Sequence, residues 1–102
     1  MTNPIRVVVA DDHPLLRAGV AQSLQESGKF EVVGQGGTAD DAVRLVDETK
    51  PDLALLDLSM PGNGLSAASR INAAAPEVGI VVLTVSEADD DIIAALRAGA
   101  KG

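Results

Sequence analysis

The chain contains no cysteine, no tryptophan and no tyrosine, and a single phenylalanine in 102 residues. The missing cysteines exclude disulfides and thiolate metal sites, and the missing aromatics require a core built from aliphatic side chains. Positive charge is also scarce: 8 Lys and Arg stand against 15 Asp and Glu, a net charge of −7. No basic cluster exists, which argues against contact of this segment with nucleic acid or an anionic membrane. No apolar run approaches the ~20 residues that a membrane span requires. The opening Met1-Thr2-Asn3-Pro4-Ile5-Arg6 lacks a signal-peptide pattern. The expectation is one soluble cytoplasmic domain, with 46% hydrophobic residues to supply its core.

Four short apolar runs alternate with helical periodicity. Ile5 to Ala10 is continuous and β-branched, as in a central strand covered on both faces. A helix follows, with Pro14 suited to its first position, a Leu16, Val20, Leu24 stripe, and Gly28 as its stop. Phe30 to Val33 reads as a short second strand and Gly34-Gln35-Gly36-Gly37 as a flexible turn. Thr38 to about Thr49 reads as a helix with Ala42, Val43, Leu45 and Val46 inward, broken at Lys50-Pro51-Asp52. Leu53 to Asp57 is a third strand, and a loop from Leu58 to Gly64 leads to a helix from about Leu65 to Ala75, stopped by Pro76. Gly79 to Thr84 is the fourth strand. Ser86-Glu87-Ala88-Asp89 opens a further helix, with Gly99 as its stop. This (βα)×4 order with right-handed crossovers predicts a parallel α/β sheet.

The ends of three strands carry the chemistry. The first ends on Asp11-Asp12, the third on Asp57 and the fourth on Thr84. In an open parallel sheet such residues converge at the carboxyl edge, where ligands bind. Singly, each has an ordinary reading: an aspartate before Pro14 caps a helix, polar residues end many strands, and threonine favours strands. Capping needs one carboxylate, however, and unrelated choices would rarely place all four groups at corresponding strand ends. Carboxylates gathered there would repel one another unless a divalent cation lay between them, which points to Mg²⁺ and phosphate chemistry.

Those same segments resemble the receiver domain of two-component response regulators over essentially the whole chain. Val9-Ala10-Asp11-Asp12-His13-Pro14-Leu15-Leu16-Arg17-Ala18-Gly19 is similar to the opening of the LuxR-type (NarL/FixJ-like) subfamily. Leu55-Leu56-Asp57-Leu58-Ser59-Met60-Pro61 resembles the phosphoacceptor segment, and Leu83-Thr84-Val85-Ser86 the switch-hydroxyl segment. The resemblance implies a flavodoxin-like doubly wound sheet of order 2-1-3-4, with the fifth strand and helix absent from this chain, so that residues 1–102 form a C-terminally truncated receiver domain. It implies that Asp57 accepts a phosphoryl group from a sensor histidine kinase or phosphotransfer protein. Asp12 would ligate Mg²⁺ directly and Asp11 largely through water, while Asp57 and the Ser59 carbonyl add oxygens. Thr84 would bond a phosphoryl oxygen and relay the change to a C-terminal helix-turn-helix DNA-binding domain of the parent protein. Such a chain is a switch, not an enzyme, and catalyses only its own phosphorylation.

The chain departs from the family pattern in three places. The family's lysine at the end of the fifth strand would lie beyond this terminus, and Lys101, after the stop at Gly99, reads as a cation near a helix C-terminus. An exposed fourth strand and uncovered apolar surface would then favour a homodimer or swapped oligomer. The loop Met60-Pro61-Gly62-Asn63-Gly64-Leu65 is one residue shorter than the commonest family loop, and Val85 is bulkier than the usual residue after the switch hydroxyl. His13 has no cysteine or second histidine for company and is set aside as a metal ligand.

Rival functions remain. Gly34-Gln35-Gly36-Gly37-Thr38-Ala39 matches the dinucleotide fingerprint G-x-G-x-x-A, with Asp57 roughly 20 residues later. Asp40 and Asp41 oppose it by adding negative charge where a pyrophosphate would sit. An aspartyl-nucleophile phosphatase would need a second acid two residues after Asp57, where Ser59 stands. A receiver-like interaction module independent of phosphorylation is the remaining alternative.

Overall fold

The computed structural model describes residues 3–83. The expectations for Thr84, Val85, the helix opening at Ser86, and Lys101 lie outside the described residues. Four strands, β1 (Ile5–Ala10), β2 (Phe30–Gly36), β3 (Leu53–Asp57) and β4 (Gly79–Leu83), alternate with helices α1 (Pro14–Glu26), α2 (Ala39–Thr49) and α3 (Gly64–Ala74). The strands form one parallel sheet of order β2-β1-β3-β4, as expected. The chain moves one way from β1 to β2 and the other way from β2 to β3 to β4. With right-handed crossovers, α1 therefore lies on one face and α2 and α3 on the other. Adjacent strands β1 and β3 straddle the reversal, which is where a doubly wound sheet opens a crevice at its carboxyl edge.

The main core lies between the sheet and the α2–α3 layer. Ala10, Ala42, Val46, Ala54, Leu56 and Ile71 are buried there together with Met60. Small residues on the helices let α2 and α3 pack close to the sheet without aromatic filler. On the α1 face only Ala21 of the helix is fully buried. The Leu16, Val20, Leu24 stripe instead lines a shallow apolar groove with Phe30, and Leu15 is 91% exposed.

The helix boundaries follow local chemistry. Pro14 opens α1, and Gly28 follows it in the left-handed region (φ 75°) that glycine adopts freely. Thr38 caps α2 by accepting from the Asp41 N–H (3.0 Å). Lys50 terminates it in a left-handed conformation ahead of Pro51.

One expectation is corrected. Gly34 to Gly36 form the second half of β2, not a flexible turn. Val8, Val9 and Ala10 pair with Gly34, Gln35 and Gly36 after a register shift that leaves Val33 without a partner on β1. The glycines are there because α2 presses on the strand. A Cβ at Gly36 would lie 2.7 Å from Asp41 Cβ, and one at Gly34 would lie 3.0 Å from Leu45 Cδ2.

Candidate functional site

Asp11 and Asp12 leave β1 at the sheet reversal, and Asp57 ends the adjacent β3, so the topology alone brings the two acidic segments together. Asp11 is held from several sides. Its N–H donates to the Gly36 carbonyl (2.9 Å), its Oδ1 accepts from the His13 N–H (2.8 Å), and its carbonyl accepts from Arg17 Nη1 (2.9 Å). The second of these is the short side-chain-to-backbone turn that aspartate forms readily. Asp11 is 6% exposed and Asp57 only 1%, whereas the Asp12 side chain opens to solvent.

Asp57 is positioned by the loop that follows it. The Ser59 N–H donates to Asp57 Oδ1 (3.3 Å), and the Ser59 hydroxyl lies 3.3 Å from both carboxylate oxygens. The loop then folds back on itself: the Gly64 N–H donates to the Leu58 carbonyl (3.1 Å) and the Asn63 N–H to the Met60 carbonyl (2.9 Å). Asn63 caps α3 by accepting from the Leu65 N–H (2.7 Å). The Pro61 carbonyl accepts from the first N–H of α2, that of Ala39 (2.9 Å). Gly62, at φ 87°, allows this contact, since a Cβ would lie 2.7 Å from Ala39 Cβ.

His13, not expected among the metal ligands, lies inside the cluster. Its Nδ1 lies 3.0 Å from Asp11 Oδ1, 2.9 Å from Asp12 Oδ1 and 3.8 Å from Asp57 Oδ2. One potential ligand atom from each of Asp11, Asp12, His13 and Asp57 lies within 4.8 Å of the others. The signal for His13 was its position directly after two aspartates. Its ring is brought in by the turn at Asp11, a local geometry that a search for cysteine or paired histidine does not detect.

Burial pushes the Asp57 carboxyl above its ordinary range. The Ser59 N–H opposes that rise, and the charge of Asp11 adds to it. His13 is shifted up as well, first by its hydrogen bond to Asp11 and then by the charge of Asp12. Among the described residues, no lysine or arginine pairs with these three carboxylates. A cluster of hard oxygen donors whose cationic neighbour among the described residues is an exposed imidazole fits a divalent metal ion.

The glycine-rich segment does not build a phosphate cradle. The Gly37 N–H, which a pyrophosphate would need, donates to Asp41 Oδ2 (3.2 Å). Asp40 is directed elsewhere, to Arg70 Nη1 (2.8 Å). Among the described residues, no helix is long and apolar enough to cross a membrane.

The fold has close counterparts. Residues 7–102 match the response regulator receiver domain family, and the chain belongs to that family. It is 41% identical over 98 residues to the transcriptional regulatory protein YhcZ of Bacillus subtilis, covering 95% of this chain and 46% of that one. It is 38% identical over 100 residues to the nitrate/nitrite response regulator NarL of Escherichia coli K12, covering 97% of this chain and 46% of that one. The signal receiver domain of the response regulator NarL from Mycobacterium tuberculosis superposes with a TM-score of 0.82 at 35% identity, covering 97% of this chain and 81% of that one. The chain thus spans about half the length of the full-length relatives it matches.

Proposed function

We propose that this receiver domain is a phosphorylation switch in which Asp57 accepts a phosphoryl group from a phosphohistidine of a sensor kinase or phosphotransfer protein. A carboxylate oxygen of Asp57 attacks phosphorus, the P–N bond to the donor imidazole breaks, and that imidazole leaves with the bonding pair and takes up a proton. The single observation that carries this reading is the placement of Asp57, buried at the end of β3 with carboxylate oxygens of Asp11 and Asp12 within 4.8 Å.

Asp11, Asp12, Asp57 and the Ser59 carbonyl would hold Mg²⁺, which when bound neutralises charge on the transferring phosphoryl group. Ser59 keeps the Asp57 carboxylate oriented through its N–H and hydroxyl. Thr84 would bond a phosphoryl oxygen and relay the change to a helix-turn-helix output domain of a cytoplasmic transcription regulator. Reductive trapping of the acyl phosphate after treatment with Mg²⁺ and a small phosphodonor, followed by peptide mass mapping, tests this. Label at Asp57 is expected. Label at another carboxylate would refute the assignment.

A further inference from the structure

We propose that His13 is a ligand of this cation site and tilts its preference toward first-row transition ions, such as Co²⁺ and Zn²⁺, relative to Mg²⁺. The inference rests on the reading above, that the acidic cluster holds a divalent cation. It adds a nitrogen donor and a metal preference, which the carboxylates alone do not imply.

The geometry carries the argument. Ligand atoms ~2.1 Å from one ion lie roughly 3.0 Å apart when cis and roughly 4.2 Å apart when trans. The His13 Nδ1 separations of 2.9, 3.0 and 3.8 Å from Asp12, Asp11 and Asp57 fall in that range. The imidazole therefore already stands at the edge spacing of a coordination shell.

Its backbone anchors it there. The His13 N–H is tied to Asp11 Oδ1 (2.8 Å), and its carbonyl accepts from the Arg17 N–H (2.8 Å) at the start of α1. Both bonds hold the ring's Cβ in a fixed relation to Asp11. The donor set also exceeds what Mg²⁺ requires, since that ion usually takes one or two carboxylates and keeps several waters. Imidazole nitrogen suits zinc, cobalt and nickel better than it suits magnesium, and it raises affinity along the first-row series.

The rival account of the same contacts is that a charged imidazole stands in for the cation and must leave before a metal enters. The two accounts predict opposite responses to removal of the ring. Calorimetric titration of the full chain with Mg²⁺ and with Co²⁺ separates them, with the visible Co²⁺ spectrum as a second readout. His13→Ala, His13→Gln and Asp12→Asn are the variants, each checked for folding by circular dichroism.

The wild type is expected to bind Co²⁺ more tightly than Mg²⁺. His13→Ala is expected to lose about tenfold more affinity for Co²⁺ than for Mg²⁺ and to change the Co²⁺ spectrum. Equal changes for both metals, or a gain for both, would overturn the inference while leaving the cation site standing. Asp12→Asn should weaken both metals. If the wild type bound neither metal, the site reading would fail and His13 with it.

Discussion

Gly64 stands directly against the backbone of Asp57. A Cβ at this position would lie 2.8 Å from Leu58 Cα and would overlap the Asp57 carbonyl oxygen. The glycine that opens α3 thereby lets the loop after β3 fold back onto the Asp57 backbone.

Gly64→Ala is therefore expected to destabilise the domain by about 1–3 kcal/mol, the usual cost of overpacking against a backbone that cannot move away. It should also reduce phosphorylation of Asp57. Gly19, in the middle of α1, has open space where its Cβ would be, and Gly19→Ala should stabilise by roughly 0.5–1 kcal/mol. Urea denaturation of both variants checks the contrast. Equal effects at the two sites would contradict the packing argument.

Asp57 should impose a pH dependence on stability in the absence of a cation. Its carboxyl is shifted above the ordinary value of 3.8, burial being the largest cause. The folded state thus binds its proton more tightly than the unfolded state does. That stabilising contribution is fully present below the unfolded value and is lost as pH rises through the folded one. Asp57→Asn should raise the melting temperature near neutral pH in EDTA, each kcal/mol being worth roughly 4–8 °C in a domain of this size. Added Mg²⁺ should stabilise the wild type and not the variant.

His13 titrates in a higher window with the same sign. It is shifted above 6.5 by Asp11 and Asp12, so its contribution is complete below that value and fades as pH rises through its folded value. NMR titration of the single histidine should place its midpoint above the ordinary one, and Asp12→Asn should lower it. An unshifted midpoint would contradict the cluster geometry.

The glycine-rich segment should behave as a strand, not as a nucleotide loop. Addition of NAD should leave the melting temperature unchanged, because the Gly37 N–H is bonded to Asp41. Thr38→Ala should cost about 0.5–2 kcal/mol through loss of the α2 cap. Its effect on Asp57 phosphorylation should be small.

Much of this was legible in the sequence because the elements carry unambiguous local signals. Val7-Val8-Val9-Ala10 and Leu53-Ala54-Leu55-Leu56 are continuous apolar runs of strand length, and each ends on the carboxylate that the sheet then places. Pro14, Gly28, Thr38 and Lys50-Pro51 mark helix ends by their backbone chemistry. What escaped was set by contacts between distant segments. Gly34 and Gly36 look like a turn until Asp41 and Leu45 are seen lying against them. The register shift beside Val33 depends on the partner strand and not on local composition. The Leu16, Val20, Leu24 stripe has helical spacing, yet spacing alone does not reveal how much of it is covered. His13 belongs to the cluster because of a turn at Asp11, which residue type does not announce.

The central claim is that Asp11, Asp12 and Asp57 gather around a divalent cation so that Asp57 can take up phosphorus. Intact mass after incubation with a small phosphodonor, with Mg²⁺ or with EDTA, tests it most directly. A gain of about 80 Da, one phosphoryl group, is expected with Mg²⁺ and should vanish with EDTA and in Asp57→Ala. The same gain in Asp57→Ala, or a gain indifferent to Mg²⁺, would contradict the account.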